Sequence, residues 1–350
     1  MPPLITFTEK GLYCPRADVY IDPWRPVNKA VITHAHADHS RPGMKHYLAH
    51  RDSVPVMKHR LGPYIDVQGI PYDHKVQLNG VDISLHPAGH IIGSAQVRVA
   101  YKGEVWVISG DYKIQDDGVC TPFEPVKCTH FVTESTFGLP VYHWRPQAEV
   151  MADLNAWWQE NAAAGRATLI SAYSLGKAQR ILQHLNPEIG PIFAHPAVEN
   201  THAALRAHGI SLRPSPRVVA QGAGKQSRKD FEGALVIVPP AAIGSAWAKR
   251  FPDLRVGIAS GWMQLRGTRR RRAADRGFVL SDHADWPGLQ YAIKETGAEH
   301  IYVTHGYTDI FSRWLREQGY DAHIVQTEFD SEEGNGVLEE TSANSEVNPT

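Results

Sequence analysis

The sequence predicts an α/β fold in about two domains. Three observations carry that expectation. The chain has 350 residues, more than the roughly 100–200 of one typical domain. Short β-branched runs ending in glycine-rich or polar loops recur over its first 140 residues, and from about Pro146 helix-period segments alternate with strand-like runs. Hydrophobic residues make up 42% of the chain against 21% charged, so a packed core is expected. No apolar stretch approaches the roughly 20 residues of a bilayer span, so a membrane-spanning chain is not. The N-terminal MPPLITFTEKGLYCP lacks the basic-then-apolar pattern of a secretory signal, and Cys14, Cys120 and Cys128 form no CxxC pair. A reducing, cytoplasmic setting is expected.

The early strands are expected at Ala30–Thr33, Val81–Leu85, Gln96–Tyr101, Glu104–Ser109 and Phe131–Thr133, where β-branched and aromatic residues cluster. AQVRVAYKGEVWVISGD reads as a hairpin turning at Lys102-Gly103. QAEVMADLNAWWQENAAAG reads as a helix closed by Gly165. ATLISAY (strand), LGKAQRILQHL (helix), PIFAH (strand) and VENTHAALRAHG (helix) follow, then ALVIVPP, IGSAWAKRF and RVGIAS in the same strand, helix, strand style. FVLSD is a further strand. A helix starts near Asp285, and HIYVT (strand), DIFSRWLREQG (helix) and HIVQT (strand) complete the pattern.

Nineteen histidines are a surplus of the commonest protein metal ligand. Four residues of the run His34-Ala35-His36-Ala37-Asp38-His39 fit the pattern HxHxDH directly after the strand KAVIT. With 19 His and 19 Asp in the chain, chance supplies about 0.003 such matches, so a surface histidine cluster is the weaker reading. Three imidazoles and a carboxylate on a tight loop offer nitrogens and a hard oxygen to zinc. One cation rarely takes all four from so short a loop, whereas two adjacent metals can share them, His34 and His36 on one, Asp38 and His39 on the other. His90 in a glycine-flanked loop, Asp111 ending VWVISGD and His305 ending HIYVTHG share the strand-end setting expected of ligands on a rigid sheet. A carboxylate at Asp111 could bridge two metals through its two oxygens.

Net charge is −1, which alone gives no hint of a polyanionic partner. The distribution is uneven. Residues 331–350 hold five glutamates and no lysine or arginine, a composition expected of a disordered acidic tail. Residues 206–276 hold 15 Lys and Arg against 4 acids, a net +11. That segment includes the run Arg269, Arg270, Arg271 and Arg272, which alone reads as a solvated face but within so basic a segment is expected to contact nucleic-acid phosphates. Tyr173, Trp247 and Trp262 could stack on bases, but core packing is the commoner use of such residues. In SAYSLGKAQRIL, Ser174 and Gly176-Lys177 stand at a helix N-terminus, a setting that favours a phosphate. The GxxxxGK[ST] spacing of a P-loop is absent, and a plain N-cap is the alternative.

The set HxHxDH, then GH, then SGD, with Asp22 in VYIDP before it, resembles the metallo-β-lactamase superfamily. Glu134 in VTESTFG, His283 in SDHAD and His305 in VTHG narrow the resemblance to its β-CASP nucleases, over nearly all of residues 1–330. The resemblance implies an αββα sandwich formed by residues 1–140 and 277–330, with an inserted basic α/β cap at 141–276. It implies two divalent metal ions, zinc with manganese as an alternative, one held by His34, His36 and His90 and the other by Asp38, His39 and His305, bridged by Asp111. Asp22 would support the site from behind. His283 would be the general acid and Glu134 its orienting partner, so that Asp38, Asp111, Glu134 and His283 carry the chemistry. GLYCPRADVYIDPW, SGDYK and SGWM look most like bacterial DNA ligase-associated exonucleases, a group readily confused with RNA 3′-end processing factors. The implied activity is a DNA exonuclease in repair, acting on DNA more than RNA, with a DNA ligase and a helicase as functional associates and no membrane partner. A β-CASP ribonuclease is the alternative. A small-substrate metallo-hydrolase lacks the Glu134/His283 pair, and a non-catalytic nucleic-acid binder would not need every ligand position filled.

Overall fold

The computed structural model describes residues 3–219, 226–265 and 274–325. It divides into two compact units, one formed by the residues up to His143 together with those from His283 onward, the other by Trp144–Asp282. The second unit thus runs past the boundary expected at 276. Its helices are α1 (Val54–Leu61) in the first unit, α2 (Gln147–Ala163), α3 (Lys177–His184) and α4 (Pro196–Ala207) in the second, and α5 (Trp286–Thr296) and α6 (Thr308–Glu317) in the first again. Among the described residues no helix is long and apolar enough to cross a membrane.

The first unit contains two sheets. One has six strands in chain order, β1 (Thr6–Thr8), β2 (Gly11–Cys14), β3 (Val19–Ile21), β4 (Lys29–Val31), β5 (His46–His50) and β6 (Val67–Ile70), antiparallel up to β3 and parallel from there. The other is built from β7 (Val76–Leu78), β8 (Val81–Pro87), β9 (Ala95–Tyr101), β10 (Glu104–Ile108), β11 (His130–Ser135), β17 (His300–Gly306) and β18 (Asp321–Ile324), in the order β18-β17-β11-β10-β9-β8-β7. β7 to β10 form an antiparallel meander, and β10, β11, β17 and β18 run parallel.

Alternation explains the layering. Ile21, Val31 and Leu48 of the first sheet share one core with Ile83, Val97, Val99, Ile108 and Val132 of the second. Val107, Phe131, Ile301 and Val303, on the opposite face of the second sheet, pack against Leu289 and Ile293 of α5 and Phe311 and Leu315 of α6. Each such fully buried side chain contributes about 1.5–3 kcal/mol over exposure. The expected hairpin turns at Lys102 and Gly103, both at positive φ (48° and 93°), the backbone that a two-residue type I′ turn needs. α5 starts where expected, with the Asp285 carboxylate accepting from the Gly288 N–H at 3.0 Å, and ends at left-handed Gly297.

The second unit is an all-parallel sheet in the order β13-β14-β12-β15-β16, formed by β12 (Thr168–Ser171), β13 (Ile192–Ala194), β14 (Leu235–Val238), β15 (Arg255–Ala259) and β16 (Arg276–Phe278). Leu154 and Trp158 of α2, Ile181 of α3 and Val198 of α4 cover Ile170, Leu235 and Ile237. Phe231, Ala242 and Phe251 cover Leu169, Val236 and Val238 on the other face. β14, Leu-Val-Ile-Val, is buried throughout, as a parallel strand covered on both sides should be.

Three expectations change. IGSAWAKRF forms only a 3₁₀ turn at Ala248–Arg250, preceded by Gly244 at φ 73° and with the Arg250 guanidinium donating to the carbonyls of Trp247 and Val219. The strand expected at FVLSD lies at Arg276–Phe278 and pairs with β15, which assigns it to the second unit. The last strand begins at Asp321, ahead of HIVQT. The acidic residues 331–350 lie outside the described residues.

Candidate metal centre

Every component of the candidate site in the first unit stands at or just beyond a strand end. The HxHxDH residues follow β4, His90 lies in the loop between β8 and β9, Asp111 follows β10, Glu134 is near the end of β11, and His305 is near the end of β17. The loops come close because glycine lets them. A Cβ on Gly110 would lie 2.7 Å from Thr33, and one on Gly89 would lie 2.3 Å from the Lys113 carbonyl oxygen.

Four overlapping groups of donor atoms result, His34/His36/His90/Asp111, His34/Asp38/His39, His39/Asp111/His305 and Asp111/Glu134/His283. The His36 Nδ1 is 3.1 Å from both His34 Nε2 and His90 Nε2. Asp111 Oδ2 is 3.4, 3.6 and 3.7 Å from Nε2 of His34, His39 and His90, and Asp38 Oδ2 is 3.5 Å from His39 Nε2. Ligands about 2.1 Å from a tetrahedral zinc are about 3.4 Å from one another. The donor spacing therefore matches the edges of a coordination polyhedron.

The tautomers agree with that reading. Thr33 Oγ1 donates to Asp22 Oδ2 at 2.5 Å, which leaves it to accept from His34 Nδ1–H at 3.1 Å. His39 Nδ1–H donates to Asp22 Oδ2 at 2.7 Å, and the Thr33 backbone N–H to Asp22 Oδ1 at 2.8 Å. With each Nδ1 carrying the hydrogen, both Nε2 lone pairs are left for the cluster. Asp22 adopts φ 42° to reach all three groups. Burial, then the rings of His39, His90 and His36, push His34 well below the ordinary imidazole value, so it is neutral. Burial pushes the Asp111 carboxyl up to about 7, against the pull of His39 and His283. His39 goes the other way: burial would lower it, but Asp38, Asp111 and Asp22 raise it well above the ordinary imidazole value. A neutral His34, a His39 surrounded by carboxylates and a destabilised buried Asp111 converging on one point are a donor set that a divalent cation satisfies.

Beside this cluster, Glu134 is buried and fixed from two sides. The Tyr112 backbone N–H donates to its Oε1 at 2.7 Å and His283 Nδ1 to its Oε2 at 2.8 Å. Burial alone would raise the Glu134 carboxyl, but the His283 ring and these hydrogen bonds outweigh it and hold it below the ordinary value. The His283 side chain is 24% exposed, and its ring centroid is 4.7 Å from that of His90.

His305 depends on an irregularity. β11 and β17 pair residue for residue up to Glu134 with Thr304, then skip to Ser135 with Gly306. His305 is the bulged residue, at φ 52°, and its carbonyl accepts from Ser135 Oγ at 2.5 Å. A bulge re-aims one side chain at the edge of a regular ladder. Its ring lies 5.5 Å from that of His39.

Other expected residues lie elsewhere. Ser174, Gly176 and Lys177 are in the second unit. Lys177 is buried, its ammonium 3.8 Å from the Asp282 carboxylate and 4.8 Å over the Tyr173 ring. The Gly176 N–H donates to Gln179 Oε1 at 2.7 Å, and Ser174 Oγ is buried with no hydrogen-bond partner among the described residues. Trp247 packs with Phe251 and His195 in the core. Arg269, Arg270, Arg271 and Arg272 lie outside the described residues. Sequence reasoning missed Thr33, Tyr112 and a cleft whose lining includes Phe7, Trp24, Asp38, His39, Thr304 and His305. Only the adjacency of Thr33 and Tyr112 to ligand motifs could have signalled the first two.

No family model matches the chain. It is 29% identical over 318 residues to a protein named probable DNA ligase from Opitutus terrae, a match covering 90% of this chain and 30% of that protein. It is 29% identical over 120 residues to cleavage and polyadenylation specificity factor subunit 3 of Dictyostelium discoideum and 26% over 118 residues to endoribonuclease YSH1 of Saccharomyces cerevisiae, each match covering 33% of this chain and 15% of the relative. The chain thus spans a third or less of these relatives' lengths. Its fold is similar to that of a protein of unknown function from Enterococcus faecalis, with a TM-score of 0.57 at 12% identity over 86% of this chain and 79% of that one. The His/Asp clusters and these relatives support the use of a divalent metal. Together the relatives support the resemblance of the chain to the β-CASP group of the metallo-β-lactamase superfamily.

Proposed function

We propose that the chain is a metal-dependent phosphodiesterase that hydrolyses nucleic acid, with its first unit an αββα metallo-β-lactamase domain and its second the β-CASP cap. One observation carries this reading: the Glu134–His283 pair stands against the Asp111 corner of the metal-ligand cluster. A hydrolase of small activated substrates has no use for a proton donor there, whereas a phosphodiester leaves as an alkoxide and needs one.

In this reading His34, His36 and His90 would hold one ion and Asp38, His39 and His305 a second, with Asp111, whose carboxylate lies 3.4–3.7 Å from Nε2 of His34, His39 and His90, as a further ligand. Divalent ions there, zinc with manganese as the alternative, make water nucleophilic near neutral pH and offset the charge that builds on the phosphoryl group. The chain's own residues do the rest. Asp22 and Thr33 fix the ligand tautomers. Glu134 holds His283 through Nδ1 and favours its charged form, so that Nε2 can deliver a proton to the leaving oxygen.

DNA as substrate and an exonuclease role in repair are supported by the ligase-named relative: a segment similar to most of this chain makes up 30% of that protein, and end trimming precedes sealing. A DNA ligase and a helicase are the functional associates we propose. Phosphate contacts are proposed for Arg269–Arg272 and for the Ser174 loop, where Ser174 Oγ is the group still to be partnered because Lys177 is committed to Asp282. The endoribonuclease names of the eukaryotic relatives favour the second reading, an RNA-processing enzyme. Digestion of 5′- and 3′-labelled DNA and RNA of matched sequence, with Asp111→Ala as control, tests both. Progressive shortening of DNA from one end supports the first reading, internal RNA cuts support the second, and no metal-dependent cleavage of either overturns both.

A further inference from the structure

The strands that bring His305 to the metal centre carry another chemistry-bearing cluster at their opposite ends. His300 opens β17, five residues before His305, and at about 3.3 Å per residue lies roughly 16 Å from it. In the parallel register His300 stands opposite Asp321 of β18, and His323, two residues on, shares the face of Asp321. His300 Nδ1 is 2.5 Å from Asp321 Oδ2, and His323 Nε2 is 2.9 Å from Asp321 Oδ1. One donor atom from each of the three lies within 4.8 Å of the others.

We propose that His300, Asp321 and His323 form a second metal site, for a borderline divalent transition ion such as Zn²⁺, that clips the edge strand β18 to β17. Two imidazole nitrogens and one carboxylate oxygen suit zinc, nickel or copper and not the all-oxygen preference of Mg²⁺ or Ca²⁺. The rings are held in place before any ion arrives. His300 stacks on His130 at 4.6 Å, which stacks on Trp106 at 4.3 Å, and His323 stacks on Tyr302 at 5.3 Å. Hydrogen bonds from His300 and then His323 hold the Asp321 carboxyl below its ordinary value, so the carboxylate is ionised at neutral pH. The three side chains are 39%, 51% and 50% exposed, which leaves room for water to complete the coordination. β18 is a four-residue edge strand, and such a strand gains from a cross-strand clip.

The test uses the full chain, stripped with chelator and dialysed against micromolar free Zn²⁺, alongside His323→Ala and Asp321→Asn. The wild type should retain one zinc per chain more than either variant, and zinc should slow amide exchange of β18 in the wild type alone. The side chains are partly exposed, and circular dichroism checks that the variants fold. Equal zinc content in all three folded proteins overturns the proposal, as does zinc binding that leaves β18 exchange unchanged. Because zinc is counted as a difference between proteins that share the catalytic cluster, the result does not depend on the nuclease reading.

Discussion

At the residue scale, what suits this cluster to hold a metal is the placement of hydrogens on its imidazoles. Asp22 receives hydrogen bonds from both Thr33 and His39, and Thr33 fixes His34, so one carboxylate behind the site sets two ligand tautomers. Asp22→Asn puts a donor where two donors already point. Metal affinity should fall about 10–100-fold, read by competition with a chelator, while the folded far-UV spectrum persists. Asp111→Ala or His36→Ala should cut hydrolysis by about 10³-fold or more and leave much of the DNA binding intact; full rate in chelated buffer would exclude a metal mechanism. His283→Ala separates proton donation from metal chemistry. It should cost about 10²–10⁴-fold on a natural phosphodiester and far less on a p-nitrophenyl ester, whose leaving group needs no proton; equal losses on both would remove His283 as the acid. That the candidate ligands would converge was legible because HxHxDH is improbable by chance and the remaining candidates stand in loops at or near strand ends. Thr33 and Tyr112 were not, because a threonine hydroxyl and a backbone N–H carry no mark in the sequence that separates them from any other.

At the element scale, regular strands bring the ligands to one edge and an irregular one finishes the site. The bulge that aims His305 needs Gly306 at φ 84°, where a Cβ would lie 2.4 Å from the Ser135 carbonyl oxygen. Gly103, in the Lys102-Gly103 hairpin, has φ 93° and nothing within 4 Å of its Cβ position. Gly306→Ala should therefore destabilise by about 2–3 kcal/mol and weaken metal retention, whereas Gly103→Ala should cost about 1 kcal/mol and leave metal retention unchanged. Denaturant midpoints and metal analysis of the two variants check the pair; equal costs would mean that the bulge yields without strain. The same contrast explains which elements sequence reasoning reached. β8 and β9 alternate over seven residues and β10 and β14 carry apolar runs of four, whereas β1, β3 and β7 have three residues each, too few to show a period. IGSAWAKRF has a helical pattern but follows two prolines and contains a glycine held at positive φ, and those local breakers prevail over the period.

For the whole molecule, the net charge of −1 misleads, and the +11 of residues 206–276 overstates the case in the other direction. Several of those cations are committed inside the second unit. Arg213 donates to the Leu185 carbonyl, Arg228 to that of Phe251 and Arg250 to those of Trp247 and Val219, while Arg255 pairs with Asp275 at 3.0 Å. Buried or carbonyl-bound guanidinium groups stabilise the fold and are unavailable to release counterions from a phosphate backbone. Arg206, Lys229 and Lys249 are exposed, and the run Arg269–Arg272 stands in a segment with almost no acids. Phosphate affinity should therefore concentrate in that run. Replacing all four arginines with alanine should lower the slope of log affinity against log salt by about 2–4, since each phosphate contact contributes about 0.9 on B-DNA. Lys177→Ala should act differently, lowering stability with the slope unchanged, because its ammonium serves the buried Asp282 carboxylate. Anisotropy titrations of labelled DNA over a range of salt concentrations measure both slopes. A slope that survives loss of the four arginines would make the run a solvated face and shift DNA binding to the remaining exposed cations.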